Sequence, residues 1–160
     1  VIFDGDNDIW AYAFMKGWKA NPHCDFDFRD AHDIRPLTGR ALDVNYIKSR
    51  LRERFRNAKQ VIVLIGESTR HLYRFVRWEI EVALDLGLPI LAVNLNGSRT
   101  LDPSLCPPIL QGKCVLHVPF RMSAVKTALD VFPDYFRNQA RGRGATDLSL
   151  APEVYTSLGI

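Results

Sequence analysis

Gln60-Val61-Ile62-Val63-Leu64-Ile65 is an unbroken run of mostly β-branched side chains with no polar alternation. Such a run predicts a central parallel strand covered on both faces, since a half-exposed strand would alternate apolar and polar residues. The polar loop Gly66-Glu67-Ser68-Thr69 follows, and His71–Gly87 then takes up helical periodicity. At about 100° per residue, Leu72, Val76, Ile80, Ala83 and Leu84 share one face, opposite Arg74, Arg77, Glu81 and Asp85. Gly87 stops this helix with Pro89 just beyond, and Pro89–Leu95 (PILAVNL) is the next buried strand.

The same alternation extends outward from this unit. Val1–Phe3 reads as the end of a first strand, and Asn7–Gly17 as a helix with Trp10, Phe14 and Met15 on its inner side. His23–Phe28 alternates like an edge strand, and Thr38–Arg40 is a turn. Asp43 caps a basic helix that runs through Lys59. Asp102–Leu110 is a Pro-rich loop with one helical turn, Cys114–Pro119 a fifth strand and Met122–Phe136 a closing helix. The fold class is therefore α/β: a five-stranded parallel sheet, order 2-1-3-4-5, with helices on both faces. Ligands of such sheets bind outside the carboxyl ends of the strands, near the switch between strands 1 and 3. There the loops Asp4-Gly5-Asp6-Asn7-Asp8 and Gly66–Thr69 meet. Residues 1–137 form this domain. From Asn138 the composition shifts to Gly, Arg and small polar residues, so residues 138–160 read as a weakly structured C-terminal extension, or as one that packs back on the domain or on a second subunit.

A chain of 160 residues is long enough to bury one good core. It has no run of about 18 apolar residues, so no transmembrane helix and no membrane partner are expected. The opening Val1-Ile2-Phe3-Asp4 reads as strand rather than signal peptide. Three cysteines, Cys24, Cys106 and Cys114, lack CxxC spacing, which points to reduced thiols in a cytoplasmic protein and against a metal site. Cys24 and Cys114 sit in apolar segments and read as buried. Much of the net charge of +3 lies in Lys48–Lys59. There Val44, Ile47, Leu51, Phe55 and Ala58 form a narrow apolar stripe, bordered by Lys48, Arg52 and Arg56 on one side and Arg50 and Arg54 on the other. Such stems cover the stripe while their heads stay wet. The one aromatic residue of this stretch, Phe55, falls in the apolar stripe and does not interleave with the charged heads, so nucleic acid is not an expected partner.

The chemistry concentrates on Glu79, which projects among Phe75, Leu72, Ala83 and Leu86 on the apolar arc of its helix. Acids are seldom buried unless paired or used. Glu79 is thus either catalytic or bonded to an arginine from another element, Arg29 or Arg35 for example. The apolar run ending in Asp4-Gly5-Asp6 has the form of a haloacid-dehalogenase phosphatase nucleophile, yet no downstream acidic pair follows and Asp8 replaces the usual Thr or Val. A phosphorelay receiver would need an acceptor Asp after Ile65, where Gly66 stands. Asp4–Asp8 also fits a plain turn with a helix N-cap. No GxGxxG or GxxxxGK[ST] occurs, and His71 and His117 read as surface or satisfied residues.

Val61–Thr69 followed by Phe75-Val76-Arg77-Trp78-Glu79-Ile80-Glu81-Val82-Ala83 resembles the core of TIR-like domains, most closely the bacterial group of the Thoeris anti-phage protein ThsB. Ile2–Asp8 and Phe28-Arg29-Asp30 fit the same group, and the likeness spans about Val1–Leu95. It implies a single TIR/flavodoxin-like domain. In enzymatic members a Trp-Val-x-x-Glu segment carries the catalytic glutamate; Phe75–Glu79 is similar, with Phe in place of the first Trp. The resemblance implies an NAD glycohydrolase or ADP-ribosyl cyclase that cleaves the nicotinamide–ribose bond, with NAD as substrate, no cofactor and no metal. The ADP-ribose-derived product would activate a separate effector. Glu79 is the expected catalytic residue. Phe3, Trp10 and Phe75 are candidates to pack on the bases, and Asp4, Asp8 and Ser68 candidate polar contacts. A non-catalytic TIR-like module acting by protein association, including homo-oligomerisation, is the alternative.

Overall fold

The computed structural model describes residues 1–22, 26, 28, 43–71, 74–139 and 144–160. Helix α1 (Ile9–Ala20) leads, followed by α2 (Val44–Phe55), β1 (Val61–Ile65) and a 3₁₀ turn at Thr69–His71. Then come α3 (Phe75–Asp85), β2 (Ile90–Asn94), β3 (Val115–Pro119), α4 (Met122–Gln139), β4 (Leu148–Ser149) and α5 (Pro152–Ser157). The sheet is parallel in the order β1-β2-β3-β4, with Val61 opposite Ile90 and Ile90 opposite Val115.

Alternation along the strands sorts the core into two layers. Ile62, Leu64, Leu91, Val93, Leu116 and Val118 pack on one face with α1, α4 and Tyr155 of α5. Val61, Val63, Ile65, Ile90, Ala92 and Val115 pack on the other with α2, α3 and the loop residues Cys106 and Leu110. Coverage of both faces explains why these strands have no polar register.

Two features of the expected sheet are corrected. Among the described residues it has four strands rather than five. The opening segment makes one parallel bridge, Ile2 to Val63, beside β1. Its ladder stops there because the chain turns at Asp4–Asn7, where the Asp6 amide bonds Asp4 Oδ1 at 3.0 Å. The fourth strand comes from the segment read as an extension: β4 pairs with β3, and Tyr155, 2% exposed, enters the core. Of the expected edge strand His23–Phe28, only Phe26 and Phe28 are described, neither in a strand. The turn Thr38–Arg40, Cys24, Arg29, Asp30, Arg35 and Leu72 lie outside the described residues.

Asp43 caps α2 as expected, accepting from the amides of Asn45 (2.9 Å) and Tyr46 (3.4 Å), but the helix ends at Phe55. Its basic side chains reach α3: Lys48 pairs with Glu81 at 2.6 Å and Arg52 with Asp85 at 3.3 Å. Gly87 ends α3 at φ +63, a left-handed turn that costs glycine little, while Leu88 donates to Ala83 O at 3.0 Å. Helix α1 buries Ala11, Tyr12 and Met15, and not Trp10 or Phe14, which are 47% and 60% exposed. The ring of Tyr12 stacks on Phe3 at 4.7 Å, and that contact sets the rotation of α1.

His117 is neither surface nor satisfied. It is fully buried in β3, and neither ring nitrogen has a hydrogen-bond partner among the described residues. Burial lowers its pKa and outweighs the opposing charge of Asp147. Cys106 is buried and Cys114 half-buried; burial, aided by the charges of Asp147 and Asp102, pushes the Cys106 thiol up to about 12. That thiol is inert at neutral pH. No described helix is long and apolar enough to cross a membrane.

Candidate active site

The carboxyl end of β1 runs straight into Gly66, and the loop from Ile2 arrives beside it. Three polar side chains lock the two loops together. Ser68 Oγ donates to Asp4 Oδ2 at 2.5 Å, and Asn7 Nδ2 donates to Asp4 Oδ2 at 2.7 Å and to Ser68 Oγ at 3.3 Å. Burial alone would raise the Asp4 carboxyl. The hydrogen bonds from Ser68, Asn7 and the backbone amides of Asp6 and Asn7 outweigh it and hold Asp4 below the usual range.

Asp8 has a different environment. It occupies the N-cap position of α1, yet its side chain makes no cap bond. The capping expected of it is therefore left to its carbonyl, which accepts from Ala11 at 3.0 Å and Tyr12 at 3.3 Å. The carboxyl folds over the backbone of Gly66 instead. A Cβ built on Gly66 would stand 2.5 Å from Asp8 Oδ2 and 2.7 Å from Cγ, so only glycine admits this approach. Thr69 Oγ1 accepts from the Gly66 amide at 2.8 Å and reaches Asp8 Oδ2 at 3.5 Å. Burial first, then the charge of Asp4, pushes Asp8 up to about 6, against smaller relief from Thr69 and the Asp4 backbone.

Above this floor lies a crevice of about 410 Å³ at the carboxyl edge of β1 and β2. Asn7, Asp8, Gly66, Glu67 and Ser68 form its polar side, and Trp10, Leu95, Asn96 and Leu105 the rest. The switch-point location read from the sequence thus brings Asp8, Ser68 and Trp10 together, with Asp4 behind them. Asn7, Thr69 and Gly66 stood in loops recognised from the sequence, but their bonding roles carried no signal there. Leu105 of the wall lies in the segment that reads as a Pro-rich loop, and Asn96 just past the strand Pro89–Leu95.

The other candidates stand elsewhere. Phe3 is fully buried in the core. Glu79, one turn into α3, is 6% exposed among Val76, Ile80, Val82 and Ala83, the other buried residues of that helix. Phe75 is 59% exposed and meets Trp78 edge-on, with centroids 5.5 Å apart. Being four residues apart, Phe75 and Glu79 share a helix face, so an open aromatic ring lies beside the sheltered carboxyl group. Neither lines the described crevice. No group of three or more metal-ligating side chains occurs among the described residues.

A parallel α/β domain with helices on both faces of its sheet and a polar crevice at the carboxyl edge of its central strands defines a doubly wound domain. Within that class, the chain belongs to the family of the Thoeris protein ThsB, TIR-like domain, whose sequence model matches residues 1–100. The match ends before β3, α4, β4 and α5. No curated protein matches the chain.

Proposed function

We propose that this TIR-like domain cleaves oxidised NAD between nicotinamide and ribose, and that Glu79 is the catalytic residue. The observation that carries this reading is the buried position of Glu79 beside the exposed Phe75, in the segment where the family resemblance places a catalytic glutamate. In this reaction the bond from ribose C1′ to the ring nitrogen breaks, and its electron pair neutralises the pyridinium. Nicotinamide leaves without needing a general acid. The ribose gains oxocarbenium character, as in glycoside hydrolysis. A carboxylate fixed in a dry setting stabilises that charge without reorganising solvent. A water, or a hydroxyl of the same or another molecule, then adds to C1′ and gives up its proton. Phe75 is suited to cover a base of the substrate. The ADP-ribose-derived product would act as a signal to a separate effector in anti-phage defence. Nicotinamide release from NAD by the purified protein tests the activity directly, and Glu79→Gln tests the residue.

A second reading, a module acting through protein contacts, is favoured by the exposed Ile9, Trp10 and Phe14 on α1. It expects Glu79→Gln to be tolerated in a cellular defence assay, and Phe14→Ser not to be.

A further inference from the structure

Helix α1 turns an uncharged face to solvent. At about 100° per residue, Ile9, Trp10, Ala13, Phe14, Gly17 and Ala20 fall within one arc, and all six are exposed. Ala11, Tyr12 and Met15 face the core on the other side. Ile9, Trp10 and Phe14 are large apolar residues about half-exposed on this one surface, a grouping that marks a contact rather than chance scatter. The rings are already held in place: Trp10 meets Phe14 edge-on at 6.1 Å and Phe120 at 5.6 Å. Little side-chain freedom is therefore lost when something docks here.

Gly17 adds an independent observation. Glycine weakens the interior of a helix, and nothing inside the molecule asks for it here. Its φ is not left-handed, and a Cβ built on it meets nothing within 4 Å among the described residues. A glycine of this kind serves close approach from outside.

The face is also complementary to itself when reversed. In an antiparallel pair of α1 helices, with a two-fold axis between Ala13 and Phe14, Trp10 of one copy lies over Gly17 of the other and Phe14 over Ala13. Each ring meets a small residue. The same reversal joins ends of opposite charge. Helix α1 has Lys16 and Lys19 in its C-terminal half and no acid, while the exposed Asp6 stands just before its N-terminus. The basic half of each copy then lies beside Asp6 of the other, at both ends of the pair, with the helix dipoles opposed. A parallel pair would set Trp10 on Trp10 and like charges together.

We infer that two copies of this chain pair through antiparallel α1 helices. A helix of 12 residues is about 18 Å long, and one such face falls short of the roughly 800 Å² that each partner gives to a stable complex. The dimer is therefore weak and reversible, with a dissociation constant on the order of 100 µM. Trp10 also lines the crevice, so pairing and crevice share a wall. The pairing deepens the second reading of function, resting on the same α1 surface and naming a second copy as its partner. It does not require NAD cleavage.

Sedimentation velocity of the whole chain from about 5 to about 500 µM, a range that brackets that constant, tests the pairing. The average mass should climb from one copy toward two as concentration rises. Gly17→Arg puts a better helix former into open space, so its thermal midpoint should be kept or raised while dimerisation weakens at least about tenfold. Asp6→Lys and Lys16→Glu should each weaken the dimer about threefold, and the double variant should restore it, because reversing both charges keeps opposite signs facing across an antiparallel pair. A chain that stays monomeric at about 500 µM, dimerisation unchanged in Gly17→Arg, or a double variant no better than the single ones would overturn the inference. The second reading of function is judged separately, by Phe14→Ser in cells: harm there from a chain that is monomeric in solution would keep that reading and reject a second copy as the partner.

Discussion

Asp8 and Glu79 are both acids, 4% and 6% exposed, and they are buried by opposite means. Asp8 sits in a loop and is held by polar geometry: a glycine that leaves room for it, a threonine at 3.5 Å and a neighbouring aspartate whose charge opposes its ionisation. Glu79 sits in the middle of a regular helix and is enclosed by the packing of α3 between apolar neighbours. The first carboxyl is poised near pH 6 at an open crevice. The second is fixed by secondary structure and needs no special backbone.

The sharpest way to break the Asp8 side of this comparison is Gly66→Ala. The added methyl collides with the Asp8 carboxyl, and overpacking of this kind costs about 2 kcal/mol. Denaturant unfolding should show that loss, and Asp8→Ala in the same chain should recover most of it, giving a strongly non-additive cycle. Additivity would mean that the two residues do not meet.

The next effect is on pH. The folded value of Asp8 is raised above the unfolded one, so the folded state binds the proton more tightly. Its contribution to stability is fully present below the unfolded pKa of 3.8 and is lost as pH rises to about 6. Asp8→Asn should remove this downward slope from the stability profile. His117 acts with the opposite sign: its lowered pKa gives stability that is lost as pH falls below 6.5. Measuring the difference between Asp8→Asn and wild type isolates the first term.

Ser68→Ala should cost about 1 kcal/mol, since it removes the 2.5 Å bond to Asp4 and an acceptor for Asn7. It should also raise the Asp4 pKa, which carboxylate NMR would detect. The smallest effect is expected on the Glu79 helix. Its pair Arg52–Asp85 is about half-exposed on both sides, so Arg52→Met should shift stability by no more than about 0.5 kcal/mol.

Strand β1, helix α3 and strand β2 were legible because their cores obey simple periods, and Glu79 stood out as the exception to one of them. The fate of Asp8 was not legible. A loop has no period, so nothing in Asp4–Asp8 distinguished a helix cap from a side chain laid over Gly66. Hydrophobicity alone points Trp10 and Phe14 inward, but the Phe3–Tyr12 stack turns α1 the other way and leaves both exposed. β4 escaped notice because two paired residues, Leu148 and Ser149, leave no pattern in sequence, and their partner β3 lies over thirty residues earlier (Leu116↔Leu148). The family match covers residues 1–100, so it offered no help with that strand or α5.

The central claim is that Glu79 cleaves NAD. The most direct measurement is nicotinamide release from NAD by wild-type protein and by Glu79→Gln, each first shown to have the same thermal midpoint. The account predicts release by the wild type and a loss of at least about a hundredfold in the variant, the scale expected for removal of a transition-state charge partner. Equal release by both proteins would contradict it.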